Sequence, residues 1–332
     1  MNVGDYLSND GLALLALCSA YALPEGAAKR GLAPFTLSEW NKLARQIHDS
    51  PLQQPAALHG HDADELTKVL RVLPNDAERI VRLLDRSGRL ALELEGLFSR
   101  GMWAVTRVDA PYPKKLRDTL KHQAPTVLFG AGDPQLLHRG GIAVIGSRNI
   151  DEAGTAFARE VGRNAAAARL PVVSGGARGT DRLAMGAALE AGGLSLGVLA
   201  DSLERTVRLP DLRQMLLDGQ LVLLTPYVPS AGFSVGAAMG RNKLIYALAD
   251  FAVVVSSDFQ TGGTWAGAVE ALKGGWCPVF ARDGSDVPKG NHELLKLGAA
   301  PLTEQELATA GNLAEWLRDH AKAKPVERDL FD

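Results

Sequence analysis

Apolar and polar positions follow two different textures along this chain. From the N-terminus to about residue 100, apolar residues recur at three- and four-residue spacing, which predicts amphipathic helices. A first helix is expected from Asp10, as its cap, to Ala22. Thr36 with Glu39, and Asp62 with Glu65, carry the capping-box pattern that opens a helix. The first box predicts a helix through Ile47, and the second predicts one over LTKVLRVL. Pro74 breaks the pattern, and helical spacing resumes over AERIVRLLDRSGRLALELEGLFSRG.

The texture changes near Gly101. MWAVTRV and TVLFGAGD read as strands separated by the proline-marked turn APYPKKL. From Gly141 onward the predicted strands are IAVIG, PVVSG, LSLGVLA, LVLLTPY, FAVVVSS and CPVFA. Their cores are continuous apolar runs, the signature of strands buried on both faces of a parallel sheet. Segments of helical spacing lie between them, such as AGTAFAREVGRNAAAA and DRLAMGAALEAG. This alternation predicts a doubly wound, Rossmann-like α/β sheet whose ligands bind beyond the strand C-termini. After Ala300 one helix is expected over EQELATAGNLAEWLRDHA. The expected organisation is a helical domain over 1–100, the sheet domain over 101–300 and a short helical tail over 301–332.

Charge and composition narrow the function. Lys and Arg total 36 against 38 acids, a net charge of -2, which excludes a globally basic nucleic-acid binder but leaves room for a local patch. Residues 139–182 supply one, with arginines 139, 148, 159, 163, 169, 178 and 182 against Asp151, Glu152, Glu160 and Asp181. Glycine is in excess, 35 of 332 residues, and clusters between 140 and 300, where it marks turns. Cys18 and Cys277 are far apart in apolar settings and read as buried free thiols; no Cys/His spacing fits a zinc site. The apolar run Gly11 to Leu23 resembles a signal-peptide core, but only Asp5 and Asp10 precede it and no basic residue does. It reads as a buried helix of a cytoplasmic protein. No run approaches the ~18 apolar residues of a membrane span, so no membrane partner is expected.

Four loops carry candidate chemistry. IAVIGSRN places Gly146, Ser147 and Arg148 after a buried strand, where backbone N–H groups and a planar guanidinium can hold a phosphate. VVSGGARGTD repeats that arrangement on the neighbouring strand with Ser174, Gly175, Gly176, Arg178, Gly179 and Thr180, and Asp181 reads as a helix cap. In GAAMGRNKLIYALAD, Arg241, Asn242 and Lys243 are expected to open a helix, with Lys243 on its solvated face. QTGGTWAGAVEAL sets Gly262, Gly263 and Thr264 at the start of a helix, with Trp265 placed either to stack on a base or, as is commoner, to pack against a neighbouring loop, and Glu270 inside the helix. The seven histidines lie outside these loops, so no histidine-based catalytic triad can be assembled. No catalytic residue, cofactor or metal site is expected.

The order of these motifs, followed by KGNHELLKLGA, resembles DNA-processing protein A, the Smf family. The lead-in APYPKKLRDTLKHQAPTVLFGAGD is similar too, so the resemblance covers about residues 105 to 300 of the 332. It implies an extended Rossmann fold that binds single-stranded DNA and assists a RecA-type recombinase in DNA uptake (natural transformation) or recombination, as a homodimer. It also implies a phosphate grip by Arg148, a second glycine turn at Gly175, Gly176 and Gly179, and the R-N pair Arg241 and Asn242. The family usually has a Lys and an aromatic just before R-N, where this chain has Val235 and Ala238; Phe233 would serve as the aromatic only if the loop shifts.

A second resemblance, of MGRNKLIYALADFAVVVSSDFQTGGTWAGAVEAL to lysine-decarboxylase-like nucleotide phosphoribohydrolases, implies the alternative of a nucleotide sensor or N-glycosidase using Arg241 and Glu270. The terminal ERDLFD loosely resembles a sliding-clamp-binding peptide. With Glu327 where glutamine is expected, it reads as a solvated tail.

Overall fold

The computed structural model describes residues 2–321, so ERDLFD lies outside the described residues. The chain forms two compact units: residues 1–131 with 225–231, and 132–224 with 232–332.

The first unit contains α1 (Asn9–Cys18), α2 (Leu37–His48), α3 (Ala63–Leu70), α4 (Pro74–Leu84), α5 (Ser87–Ser99), β1 (Met102–Thr106), α6 (Lys114–Leu120) and β2 (Val127–Ala131). Both capping boxes form, and α2 buries Trp40, Leu43 and Ile47 on one face. Pro74 occupies the first turn of α4, where its missing N–H costs nothing. Strands β1 and β2 pair antiparallel.

Helix α1 differs from its expected form. Its cap is Ser8, whose Oγ accepts from Gly11 N at 3.0 Å, while Asp10 accepts from Ala56 N at 2.8 Å. It ends at Cys18 because the Arg86 guanidinium takes up the loose carbonyls at that end, donating to Ala16 O at 2.6 Å and Ser19 O at 2.7 Å. Leu14, Leu15 and Leu17 are all fully buried, which is why the segment looks like a signal-peptide core. Cys18 and Cys277 are each partly rather than fully buried, and burial pushes the Cys18 thiol up.

The second unit contains β3 (Ile142–Gly146), α7 (Glu152–Ala167), β4 (Val172–Ser174), α8 (Thr180–Glu190), β5 (Ser195–Val198), α9 (Leu203–Thr206), α10 (Pro210–Leu217), β6 (Leu221–Thr225), α11 (Val235–Leu248), β7 (Phe251–Ser256), α12 (Gly262–Gly274), β8 (Val279–Arg282), α13 (Lys289–Lys296), β9 (Ala300–Leu302), α14 (Glu304–Thr309) and α15 (Leu313–His320). Strands β3 to β9 pair in parallel in the order β6-β5-β4-β3-β7-β8-β9. This is the doubly wound mixed α/β architecture that the continuous apolar runs predict. The tail contains two helices where one was expected, and β9 precedes them. Its three residues are too short to give a periodic signal. No helix among the described residues is long and apolar enough to cross a membrane.

Candidate functional site

The chain order turns at β3. Strands β4 to β6 build outward on one side and β7 to β9 on the other. Oppositely directed crossovers leave a crevice beyond the C-terminal ends of β3 and β7, the usual ligand position in such sheets. The two strands also part there: Ile145 faces Val254, but Gly146 faces Ser256, a bulge at the crevice floor. A cleft of ≈ 450 Å³ opens at this point. Its walls bring together Gly146, Ser147 and Arg148 after β3, Arg241 and Asn242 on α11, and Gly262, Gly263 and Thr264 at the start of α12.

The first two glycine turns interlock. The space for a Cβ on Gly146 is occupied by the Thr180 side chain. Gly179 has φ +84°, and a Cβ there would lie 2.6 Å from the carbonyl oxygens of both Ser147 and Arg148. This contact lets Thr180 N and Oγ1 donate to Ser147 O at 3.3 and 3.1 Å. Ser147 closes its own turn, its Oγ donating to Asn149 O at 2.8 Å. Arg178 Nη2 donates to Asn149 Oδ1 at 2.8 Å. The Arg148 side chain stays exposed, its Cζ 5.4 Å from the Phe233 ring centroid.

Three residues do something other than their sequence reading. Asp181 is not the cap of α8, whose cap position is Gly179. Its buried carboxylate instead accepts from Gly175 N at 3.1 Å and Ala177 N at 3.3 Å, holding the second turn in shape. Burial pushes this carboxyl up, and the positive charge of Arg241 opposes the shift. Ser174 is fully buried, and its hydroxyl donates to Val144 O at 2.6 Å as a tie between β4 and β3. Arg241 does not open a helix: α11 begins at Val235, so Arg241, Asn242 and Lys243 lie in its middle. The Arg241 guanidinium is buried, and its Nη1 donates to Val198 O at 2.7 Å.

The third wall is the start of α12. Thr261 makes no side-chain cap, and Thr261 to Thr264 line the cleft, so the positive end of the helix dipole lies at this wall. Asn242 Nδ2 donates to Gly263 O at 3.1 Å and fixes that turn against α11. Trp265 packs edge-on against Phe259 at 5.1 Å and does not line the cleft. Glu270 is exposed and also lies off the cleft, so the structure does not bring Arg241 and Glu270 together as a pair. The rim near the start of α11 is apolar, with Phe233 49%, Val235 68% and Met239 51% exposed.

Asn291, within the KGNHELL motif, is a residue whose part the sequence reading missed. It is fully buried, accepts from Ser257 N at 2.8 Å and donates to Val255 O at 3.2 Å and Arg282 O at 3.0 Å. It thereby ties the C-terminal end of β7 to β8. A buried asparagine can be expected only where neighbouring strands leave backbone groups unpaired.

Comparison with known proteins agrees with this fold. The model of the DNA recombination-mediator protein A family matches residues 103–310. The chain is 28% identical over 278 residues to a putative DNA processing protein DprA of Mycobacterium tuberculosis, covering 79% of this chain and 68% of that one. It is 32% identical over 203 residues to protein Smf of Escherichia coli K12, covering 59% and 52% of the two chains. The fold matches DNA processing protein A of Streptococcus pneumoniae with a TM-score of 0.61 at 24% identity, over 83% of this chain and 98% of that one. It matches the Helicobacter pylori protein, described for its single-stranded DNA binding mode, with a TM-score of 0.53 at 24% identity, over 66% and 97%. A family match that spans most of the sheet and contains all four glycine-bearing loops places the chain in the DNA recombination-mediator protein A family.

Proposed function

We propose that the chain binds single-stranded DNA along the cleft at the β3–β7 turn, with backbone phosphates held by Arg148, the Gly146–Ser147 turn and the open N–H groups of Gly262 to Thr264. On this reading it assists loading of a RecA-type recombinase in DNA uptake or recombination, acting in the cytoplasm as a homodimer. The supporting observation is the convergence of an exposed arginine and a helix N-terminus on one cleft at the sheet's switch point. A guanidinium and oriented N–H donors suit a phosphodiester better than any apolar ligand. The relative from Helicobacter pylori, described for its single-stranded DNA binding mode, supports the choice of polymer.

The test is fluorescence anisotropy of a labelled poly-dT oligonucleotide at two salt concentrations, with wild type and Arg148→Ala. Wild type should bind with a steep salt dependence. Removing one phosphate-binding group flattens the slope by about 0.7 on a single strand. An Arg148→Ala slope equal to wild type would remove Arg148 from the site. Glu270→Gln should leave binding unchanged, because Glu270 lies off the cleft.

A further inference from the structure

Helix α10 (PDLRQMLL) buries none of its side chains fully, and Leu212, Met215 and Leu216 along it are half-buried. A helix with an apolar face ordinarily buries that face. Here Leu212 and Met215 line a second cleft of ≈ 780 Å³, which lies over the sheet at β5 and β6 and adjoins the phosphate cleft along one edge. Its opposite wall is α8 and its floor is the sheet. The floor is apolar, and one glycine stands in the floor and another in the α8 wall. Gly197 sits within β5, where a Cβ would lie 2.7 Å from the Leu223 side chain. Gly186 on α8 faces open space, with nothing within 4 Å of where a Cβ would be.

The rim has a different character. Arg148, Arg178, Arg182 and Arg205 stand around it and are all exposed, against the acids Asp201 and Asp211. Arg205 is occupied by Asp201, an exposed pair of small energetic weight. The two clefts share a ridge: Arg148, Ala177, Phe233 and Arg241 line both. The occupant must therefore combine flat apolar bodies with negative charge and be continuous with a ligand of the first cleft.

We infer that this second cleft is a nucleobase subsite, which takes unstacked bases of a strand whose phosphates cross the Arg148–Phe233 ridge. The inference rests on the reading of the first cleft as a single-stranded DNA site. The open glycine of the α8 wall lets a planar ring approach the helix backbone closely, and bases packed on apolar or aromatic surface give sequence-tolerant affinity. Phe233, 49% exposed on the ridge, is placed to stack one base, with Arg148 beside the following phosphate.

The experiment compares a labelled poly-dT oligonucleotide with an abasic oligonucleotide of equal length, using the full chain. The variant is Gly186→Leu, which projects into the cleft from a helical position where an added Cβ meets nothing within 4 Å. Leucine also favours helix over glycine, so the fold should be retained. Wild type should bind poly-dT more tightly than the abasic strand. Gly186→Leu should lower poly-dT affinity about tenfold, the loss of roughly one stacked base, and leave abasic affinity unchanged. Leu212→Gln, on the facing wall, should act in the same direction and serves if Gly186→Leu does not fold. Arg148→Ala should weaken both oligonucleotides alike. Unchanged poly-dT affinity in a folded cleft variant would overturn the subsite, as would an equal loss on both strands. In either case salt-dependent wild-type binding that Arg148→Ala weakens would leave the phosphate reading standing. No wild-type affinity for either strand would overturn both.

Discussion

The Arg241 guanidinium lies in the space that a side chain at Gly175 would occupy. An added Cβ at Gly175 would fall on the guanidinium nitrogens, while Nη1 of the same group donates to Val198 O at 2.7 Å. The glycine of the second turn therefore makes room for the Arg241 guanidinium. Gly175→Ala should push Arg241 out of register, break its bond to β5 and disturb the turn that Asp181 holds. The expected cost is about 2 kcal/mol, in the range for overpacking a filled interior, and urea unfolding would measure it. A midpoint equal to wild type would show that Arg241 has room to move.

Asn291 makes a second prediction of the same kind. Removing its amide leaves Ser257 N and the carbonyls of Val255 and Arg282 buried without their partner. Asn291→Ala should destabilise by about 3 kcal/mol, since each orphaned buried polar group costs on the order of 1–3 kcal/mol. The Ser257 amide should also lose hydrogen-exchange protection, and the loop that ends in Gly262 should loosen with it. Protection at Ser257 unchanged from wild type would rule out this role for the asparagine.

The comparison of pattern with structure divides along one physical line. The strands and most helices were legible because burial imposes a period, and continuous runs such as FAVVVSS have few other uses. The crevice was legible as a place, because glycine turns after consecutive parallel strands must meet at one sheet edge. The direction in which a polar side chain points was not. Arg148 and Arg241 look alike in sequence, each beside an asparagine, yet one is exposed and the other is 5% exposed. What separates them is contact between residues distant in sequence, the missing Cβ of Gly175 and the carbonyl of Val198 that accepts from Arg241. Asp181 was misread for the same reason: a carboxylate at a helix start serves equally as a cap or as an acceptor for the preceding loop. The apolar face of α10 was overlooked because a half-covered helix has the same spacing as a covered one.

Acid should weaken the first unit through Glu39. Its carboxylate takes Arg79 Nη1 at 2.9 Å and closes the α2 capping box, accepting from Thr36 N at 2.7 Å. The bond from Arg79, and then those from Thr36, hold its pKa at about 2 against an ordinary 4.5. Because the folded value is depressed, the stabilisation is fully present above pH 4.5 and is lost as pH falls from there towards 2. Glu39 is 45% exposed, so solvent screening keeps the ion pair's contribution below about 1 kcal/mol. Wild type and Glu39→Gln should therefore converge in urea midpoint as pH falls through this window. A gap that stays constant with pH would assign the effect to packing and not to charge.

The apolar rim of the phosphate cleft leads to a prediction of gained function. Val235 is the first residue of α11 and 68% exposed, and Ala238 lines the same cleft less than one turn later. Neither side chain packs in the core, so each can be replaced at little cost to the fold. Val235→Lys places a cation in the first turn of a helix, which the dipole disfavours by about 0.3–1 kcal/mol. It also places that cation in the cleft that Arg148 lines, where a bound phosphodiester would pass. If the cleft holds phosphates, the salt dependence of poly-dT binding should steepen by about 0.7 for the added cation. Ala238→Phe should tighten binding by the ~1–3 kcal/mol of one stacked base, with little change in slope. Lys243 lies off the cleft, so Lys243→Ala should alter neither quantity. A Val235→Lys slope identical to wild type would mean that the strand does not cross this rim, and the path would have to run over the Arg148–Phe233 ridge alone.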